Sequence, residues 1–304
     1  MDAKTAFKNG IARLREANVP SFTLAAELLL LHVAGRDRTW LYAHPEVEIT
    51  AEQEERFLSL IERRAAGEPT QYLTGKQEFW GLEFEITPDV LIPRPETEHV
   101  IEVGLDRLAL REIRAGRKQT LSGEGLRIAD IGTGSGCIAV ALAKDLPGAR
   151  FIATDISPAA LSVARRNAER HGFADRIEFA RANLLEGIAA KMRFDLIASN
   201  PPYIGRREEP TLQREVRDHE PEVALYGGEE GYELYAALVT QSAAHLIPGG
   251  IVVLELGHDS LPAVQPLFDT PEWTYIGVTN DLAGIPRVIA AERTAHIGTV
   301  TNRA

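Results

Sequence analysis

From Leu126 onward the chain alternates short apolar runs of strand type with helical segments, and this alternation restricts the possible fold more than any other feature. Strand-like "LRIADI" precedes helical "GCIAVALAKDL". "RFIATDI" precedes "SPAALSVARRNAERHG". "RIEFAR" and "FDLIAS" follow, then a helix from Glu230 to Leu246 and the strand "GGIVVLEL". A helix near Leu261 to Phe268 and two final strands, "WTYIGVT" and "PRVIAAE", complete the series. Strands joined through helices lie parallel, because the crossover needs a dozen or more residues. The expected fold is therefore α/β, a mostly parallel sheet covered by helices on both faces. In such sheets ligands bind beyond the carboxyl ends of the strands, where strand order reverses.

The first 70 or so residues have a different period. Phe7, Ile11 and Leu14 fall on one helix face. Ser21 stands as N-cap of "FTLAAELLLLHVAG", which ends at Gly35, and Thr50 with Gln53 reads as a capping box for "AEQEERFLSLIERRAAG". A small unit of about four helices is expected. Apolar residues then alternate from Gln77 to Pro95, which reads as a hairpin, and helix resumes after Pro95. The stretch from Arg111 to Gly125 reads as a helix tail plus linker. The last nine residues, "HIGTVTNRA", lack periodicity and are expected to be loose.

Chemistry concentrates at two turns. In "ADIGTGSGCIAV" the glycines at 132, 134 and 136 permit a tight turn and close approach of backbone to ligand. The dinucleotide fingerprint G-x-G-x-x-G would need glycine at position 137, where this chain has Cys137. The spacing G-x-G-x-G suits instead the methionyl and ribose portion of S-adenosylmethionine. Asp155 ends the next strand, nineteen residues after Gly136, where a carboxylate can accept from ribose hydroxyls. An Asp there can also cap a helix, but Ser157 and Pro158 fill the cap and first-turn positions, which is expected to free Asp155.

The second turn, "SNPPY", follows "FDLIAS", which is expected beside the glycine strand. Each proline restricts the residue before it to extended backbone and itself lacks an N–H. The Asn200 side chain and the Pro201 carbonyl can then converge as rigid acceptors on one NH2 group, with Tyr203 over its flat face. That arrangement suits methylation of a planar nitrogen, whose delocalised lone pair makes it a weak nucleophile needing orientation. No strong base is required, because the proton acidifies as the nitrogen gains positive charge.

Composition narrows the partners. Thirty-three basic against 44 acidic residues leave a net charge of −11, unsuited to non-specific binding of a phosphate backbone. Arg111 to Lys118 and the pair Arg206 and Arg207 are local exceptions. One cysteine, Cys137, excludes a disulfide framework and a zinc cluster, and reads as a buried helix residue. The eight histidines show no metal spacing, so no metal is expected. Neither a signal-type N-terminus nor a run near the ~20 apolar residues of a membrane span is seen, which points to the cytoplasm. The charged run from Arg207 to Glu222 reads as a solvated loop whose place after "NPPYIG" permits a role as substrate flap.

Taken together, "DIGTGSG", "SNPPYI", "PTQYLTGKQEFWGLEF", "VLIPRPETE", "DISPAALSVARRNAER", "EPEVALYGGEEGYELY", "LIPGGIVVLELG" and "DLAGIPRV" span nearly the whole chain. The chain resembles the release factor glutamine methyltransferases, the HemK/PrmC family. The resemblance implies a Rossmann-like seven-stranded S-adenosylmethionine-dependent methyltransferase domain with an N-terminal helical domain and a connecting β-hairpin. It implies transfer of methyl to the side-chain amide of a Gln in class I peptide chain release factors, leaving S-adenosylhomocysteine. The expected division is 1–72 helical and substrate-docking, 73–95 hairpin linker, and 96–304 methyltransferase. Carried over by position, Gly132, Thr133, Gly134, Ser135 and Gly136 line the methionine part of the cofactor, and Asp155, followed by Ile156, holds the ribose. Asn183 and Leu184 lie at the adenine. The family usually has Asp after the third strand, whereas this chain has Ala182 and Asn183, which keeps an acceptor but loses the charge. Asn200, Pro201, Pro202 and Tyr203 bind the substrate glutamine, with Asn200 also near the cofactor. Asn200, Pro201 and Tyr203 are the expected catalytic residues. Arg94 and Glu96, within "IPRPETE", close over the cofactor and substrate entrance.

Adenine methyltransferases of nucleic acid also use Asn/Asp-Pro-Pro-aromatic on a flipped base. The acidic balance and the absence of an added basic domain argue against that substrate, so no stable nucleic-acid binding is expected. The relative that modifies a ribosomal protein departs from "PRPETE" after "PR". A catalytically silent adaptor is disfavoured by the intact "NPPY", and a nicotinamide oxidoreductase by Cys137.

Overall fold

The computed structural model describes residues 1–116 and 122–295. The middle of the expected helix tail and linker, residues 117–121 with Lys118, and the expected loose tail from His296 lie outside those residues. Along the chain run α1 (Ala3–Glu16), α2 (Phe22–Ala34), α3 (Arg38–Ala43), α4 (Ala51–Ala65), α5 (Thr70–Thr74), β1 (Lys76–Phe79) and β2 (Leu82–Glu85). Then come α6 (Glu98–Arg114), β3 (Arg127–Ile131), α7 (Cys137–Asp145), β4 (Arg150–Asp155), α8 (Pro158–Arg170), β5 (Ile177–Arg181) and β6 (Phe194–Ser199). The remainder is β7 (Ile204–Gly205), α9 (Arg214–His219), α10 (Glu222–Leu225), β8 (Tyr226–Gly228), α11 (Glu233–His245), β9 (Leu246–Glu255), α12 (Leu261–Val264), β10 (Trp273–Asn280) and β11 (Pro286–Arg293).

The chain divides into two compact units. One comprises residues 1–77, 86–88 and 212–220; the other comprises 78–85, 89–211 and the chain from 221 onward. In the first unit α1 buries Ala3, Ala6, Gly10 and Leu14, while Phe7 and Ile11 pack at the margin of the core. The small residues bring α1 close to α4, since a Cβ on Gly10 would stand 2.8 Å from the Phe57 ring. The capping box is formed: Thr50 Oγ1 accepts from Gln53 N at 3.1 Å and Gln53 Oε1 accepts from Thr50 N at 2.9 Å. Ser21 does not cap with its side chain. Its backbone is left-handed, with φ at 51°, whereas a capping side chain needs an extended residue. Single turns α3 and α5 raise the helix count of this region above the expected four. The charged run after "NPPYIG" is not an irregular loop: Arg206–Thr211 is 3-10 helix, and α9 and α10 follow. Within the first unit Glu215 of α9 pairs with Arg64 of α4.

The hairpin between β1 and β2 turns on Trp80 and Gly81, both with positive φ, at 54° and 65°, as a two-residue turn matched to strand twist requires. In the second unit the seven-stranded sheet has the order β10-β11-β9-β6-β3-β4-β5. Strands β9, β6, β3, β4 and β5 are parallel, and β11 pairs antiparallel with β9 and β10. All of Ile128 to Ile131 is buried, so alternating side chains are covered on both faces. On one face Ala129, Ile131 and Ile197 share a core with Tyr235, Leu238 and Val239 of α11. On the other Leu196 packs onto Gly104 of α6. The chain steps from β3 outward to β5, then returns to place β6 on the other side of β3. That reversal opens a crevice at the ends of β3 and β6.

Candidate active site

Three turns converge at this crevice. After β3, Gly132, Gly134 and Gly136 all have positive φ, from 53° to 82°. At Gly132 and Gly134 nothing lies within 4 Å of where a Cβ would be, so the turn presents bare backbone to open space. At Gly136 a Cβ would press on Ala164 at 3.1 Å, so this glycine permits α7 and α8 to meet. The turn is held from below by Asp130, a fully buried carboxylate. Its Oδ2 accepts from Thr133 Oγ1 at 2.6 Å and from Ala139 N at 3.1 Å. Its Oδ1 has no hydrogen-bond partner, and burial pushes the carboxyl up to about 7. Asn167 of α8 ties the same turn to β2. Its Nδ2 donates to Ser135 O at 2.9 Å and to Glu85 O at 3.0 Å, while its Oδ1 accepts from Glu85 N at 2.7 Å.

Asp155, at the end of β4, faces the glycine turn. It is not free, contrary to the expectation from the helix cap. Ser157 does cap α8, accepting from Ala160 N at 3.2 Å, yet Asp155 also accepts from backbone. Its Oδ2 takes Gly134 N and its Oδ1 takes Ser157 N, each at 2.9 Å. Each oxygen retains a second lone pair. Burial raises the carboxyl above its ordinary value, and the backbone donors of Ser157, Gly134 and Ile156 act against that shift.

A cavity of about 520 Å3 lies over these groups. Gly132, Gly134, Asp155, Ile156, Asn183, Leu184, Asn200 and Pro202 line it, joined by Asp89–Leu91 and by residues of the "EPEVALY" stretch that the motif reading left without a role. Thr133, Ser135, Gly136, Pro201, Tyr203, Arg94 and Glu96 do not line it. Asn183 Nδ2 donates to Glu186 at 3.1 Å, which leaves its oxygen as the free end of the amide. Leu184 has φ at 54°, and its carbonyl accepts from Thr154 Oγ1 at 2.9 Å.

The Asn-Pro-Pro-Tyr turn leaves β6 beside β3. Pro201 is buried, and Tyr203 packs on the core rather than facing the cavity; burial pushes its phenol upward. Glycines make the bed of the turn. A Cβ on Gly227 would collide with Pro202 O, one on Gly231 with Tyr203 O, and one on Gly257 would stand 2.8 Å from the Tyr203 ring. Asn200 Nδ2 donates to Thr97 Oγ1 at 3.0 Å, which turns its Oδ1 away from that bond as the available acceptor. At the end of β9 the buried carboxyl of Glu255 is raised to about 7 by burial, with the side chain of Thr97 acting against that shift. Near it Arg287 pairs with Asp281 at 2.8 Å, and Glu96 lies 4.0 Å from Arg287.

Thr97, Asp130, Asn167 and Glu255 are functional neighbours that motif reading passed over. All four lie inside the quoted stretches "PRPETE", "ADIGTGSG", "DISPAALSVARRNAER" and "LELG", and the signal was there: a polar side chain among residues that must be buried.

A doubly wound sheet in this order, with a glycine turn after β3, an acidic end to β4 and Asn-Pro-Pro-Tyr after β6, defines a Rossmann-like methyltransferase. Comparison with known proteins agrees. The model of the PrmC N-terminal domain matches residues 5–75, and that of the methyltransferase small domain matches residues 118–218. The release factor glutamine methyltransferase of Koribacter versatilis is 43% identical over 293 residues, covering 96% of this chain and 99% of the relative. That of Bradyrhizobium diazoefficiens is 41% identical over 283 residues, covering 93% and 92%. Among solved structures, the hMettl16 catalytic domain in complex with an RNA hairpin is 20% identical, with a TM-score of 0.52 over 77% of this chain and 81% of that one, a likeness of fold alone. The chain belongs to the release factor glutamine methyltransferase family.

Proposed function

We propose that the chain transfers a methyl group from S-adenosylmethionine to the side-chain amide nitrogen of a glutamine in class I peptide chain release factors, leaving S-adenosylhomocysteine. The observation that carries this is the Asn200 side chain at the wall of the cavity, its NH2 committed to Thr97 and its Oδ1 available to a substrate N–H. The cofactor fits the residues present. Gly132 and Gly134 offer a bare-backbone cradle, Asp155 keeps an unused lone pair on each oxygen for the ribose hydroxyls, and Asn183 Oδ1 with Leu184 suits the adenine. The cofactor supplies an electrophilic methyl on a sulfonium.

The protein's part is to orient and desolvate. Asn200 Oδ1 and the Pro201 carbonyl accept the two N–H groups of the substrate amide, which aims the nitrogen lone pair and favours its pyramidalisation. As the new C–N bond forms the nitrogen becomes acidic, and one N–H proton passes to water without a strong base. Arg94 and Glu96 precede Thr97 in the segment proposed to close the substrate entrance. The helical residues 1–72 are proposed to dock the release factor, since a glutamine carried by a macromolecule must be presented to the site; 73–95 serve as linker and 96–304 as the catalytic domain. Such a substrate places the enzyme in the cytoplasm. Among the described residues no helix is long and apolar enough to cross a membrane.

Incubation with labelled S-adenosylmethionine and separate samples of release factor, ribosomal protein and DNA tests the reading. Label on a release-factor glutamine supports it, and label only on ribosomal protein or on DNA rejects it. Asn200→Ala should nearly abolish transfer while S-adenosylmethionine binding stays within roughly tenfold, the loss of one or two hydrogen bonds. Equal loss of both in calorimetry contradicts the assigned role.

A further inference from the structure

Three neighbouring strands of the sheet start on the same residue type. Arg127 opens β3, Arg150 opens β4, and Arg176 stands immediately before β5. The parallel register sets them side by side. Arg127 is the Cα partner of Arg150, and the pairing of Phe151 with Ile177 puts Arg176 one place back, next to Arg150. Like charges in facing register positions repel, so the sheet by itself gains nothing from such a row.

All three arginines line a cavity of about 410 Å3 at the end of the sheet opposite the glycine turn. That volume falls within the ~300–1,000 Å3 of small-molecule sites. Ile152, Met192 and Phe194 give it apolar lining, and Asp175 and Glu178 also line it. Among the described residues neither of those carboxylates, nor any other, forms an ion pair with the row. What the guanidiniums touch is neutral. Arg127 Nη1 donates to Met192 Sδ at 3.7 Å, Arg150 Nη1 to Asp175 O at 2.8 Å, and Arg176 to Leu146 O at 2.9 Å and to Ala143 O. The last two carbonyls belong to the C-terminal end of α7, a structural role that accounts for Arg176 alone. Carbonyl and thioether acceptors take hydrogens without matching charge, and each guanidinium carries more N–H donors than these contacts use. Burial, and then the neighbouring Arg150 charge, hold the Arg176 guanidinium below its ordinary value. Arg127 and Arg150 are exposed, so an anion arriving from solvent can reach them.

We propose that this cavity is a second ligand site, which takes a small anion bearing two or more phosphate groups on the row Arg127, Arg150 and Arg176. The guanidinium fork matches phosphate oxygens, and an anion there would turn mutual repulsion into charge-assisted hydrogen bonds. Adjacent strands lie ~4.8 Å apart, so the row spans about 10 Å, which suits an extended anion better than a single phosphate. A nucleic-acid backbone is the poorer occupant, because the net charge of −11 opposes a long polyanion at every point beyond the row. The site is separate from the methyl-transfer crevice: five residues of β3 from Arg127 to Gly132 span about 16 Å. Both sites can therefore be filled together.

Calorimetric titration of the full chain with inorganic pyrophosphate, at about 0.1 M salt, tests the proposal. Pyrophosphate is expected to bind with a Kd of about 1 mM or tighter. Arg150→Gln and, separately, Arg127→Gln should each weaken it about tenfold or more, the loss of charge-assisted hydrogen bonds, and inorganic monophosphate should bind the wild type at least about tenfold more weakly. Both variants should keep the S-adenosylmethionine Kd within about twofold, since they remove nothing from that crevice. Adenosine diphosphate distinguishes the source of the phosphates: Arg150-dependent binding tighter than that of pyrophosphate marks a nucleotide, and equal or weaker binding marks a free polyphosphate. Pyrophosphate that does not bind below about 10 mM overturns the proposal. So does binding that both variants leave unchanged, monophosphate that binds as well as pyrophosphate, or pyrophosphate that competes with S-adenosylmethionine. A single-stranded oligonucleotide that binds more tightly than pyrophosphate, and loses that binding in Arg150→Gln, would hand the row to nucleic acid and also overturn it. If one variant does not fold, the other decides.

Discussion

Asp130→Asn should change the pH dependence of stability in a way that a simple loss of packing cannot. The carboxyl under the glycine turn is raised from 3.8 to about 7, with burial as the largest cause and the Thr133 and Ala139 donors acting against it. In the unfolded chain Asp130 gives up its proton near its ordinary value, while the folded protein keeps it until about 7. Between those limits the unfolded state binds fewer protons than the native state. Stability therefore falls as pH rises, by about 1.4 kcal/mol per pH unit from this one group, and levels off above 7. Across the window the penalty approaches roughly 4 kcal/mol, as an upper figure. Asparagine keeps an oxygen for Thr133 and Ala139 and never ionises, but it buries an NH2 where Oδ1 has no partner, at a cost of about 1–3 kcal/mol at every pH. The variant should thus be the less stable protein near pH 4 and approach or exceed the wild type near pH 8. Unfolding in urea, followed by 19F NMR of 5-fluorotryptophan, separates the tryptophans, and Trp273 lies in the core of the sheet-bearing unit. Glu255 and the other groups not coupled to Asp130 titrate alike in both proteins and cancel in the difference, while Asp155, coupled to it across the turn, adds to the same pH-dependent term. A stability difference that stays constant within about 0.5 kcal/mol from pH 4 to pH 8, the scale of ordinary surface effects, would refute the argument.

Two further outcomes follow from the same geometry. Asp155→Ala should weaken S-adenosylmethionine by about one to two orders of magnitude, the worth of a pair of hydrogen bonds to a charged group, read by calorimetry; unchanged affinity would remove the ribose role. Deleting residues 1–72 should spare methyl transfer to a short glutamine peptide while sharply reducing transfer to an intact release factor, and an equal effect on both substrates would reject docking by the helical unit.

The parts of the fold that were legible in the sequence are those written in local periods. Strands β3 to β6 and β9 to β11, with helices α7, α8, α11 and α12, follow from runs of two- and four-residue spacing, and the capping box at Thr50 from four consecutive residues; the short β7, β8, α9 and α10 left no such period. The glycine turn was legible because three positive φ values need glycine whatever surrounds them. What failed did so for tertiary reasons. Ser21 has a capping identity, but its left-handed backbone aims the hydroxyl away. The run from Arg207 to Glu222 has the composition of a solvated loop, yet Glu215 finds the buried Arg64 and short helices form. Asp155 was expected to be released by Ser157, but Gly134 N comes from another turn to take up one of its oxygens.

The Asn-Pro-Pro-Tyr turn divides along the same line. Its prolines restrain the backbone from within, so a rigid turn at the end of a strand could be read from five residues. The orientation of the Asn200 amide cannot be local, because its partner Thr97 stands 103 residues away. The local motif therefore identifies a planar NH2 group as the target and does not choose between a glutamine amide and an adenine amine, since both offer two N–H donors to the same acceptors. That choice lies outside the four residues, in what can reach them. An adenine needs a flipped nucleotide and a cationic track for its backbone, against which a net charge of −11 works at long range. A glutamine needs only a loop slender enough to enter and a surface to hold the protein that bears it. Selectivity between the two is then assigned to the entrance and to the proposed docking surface, and substitutions there should alter KM for the macromolecule while leaving the Asn200–Thr97 contact, and with it kcat on a small peptide, as it was.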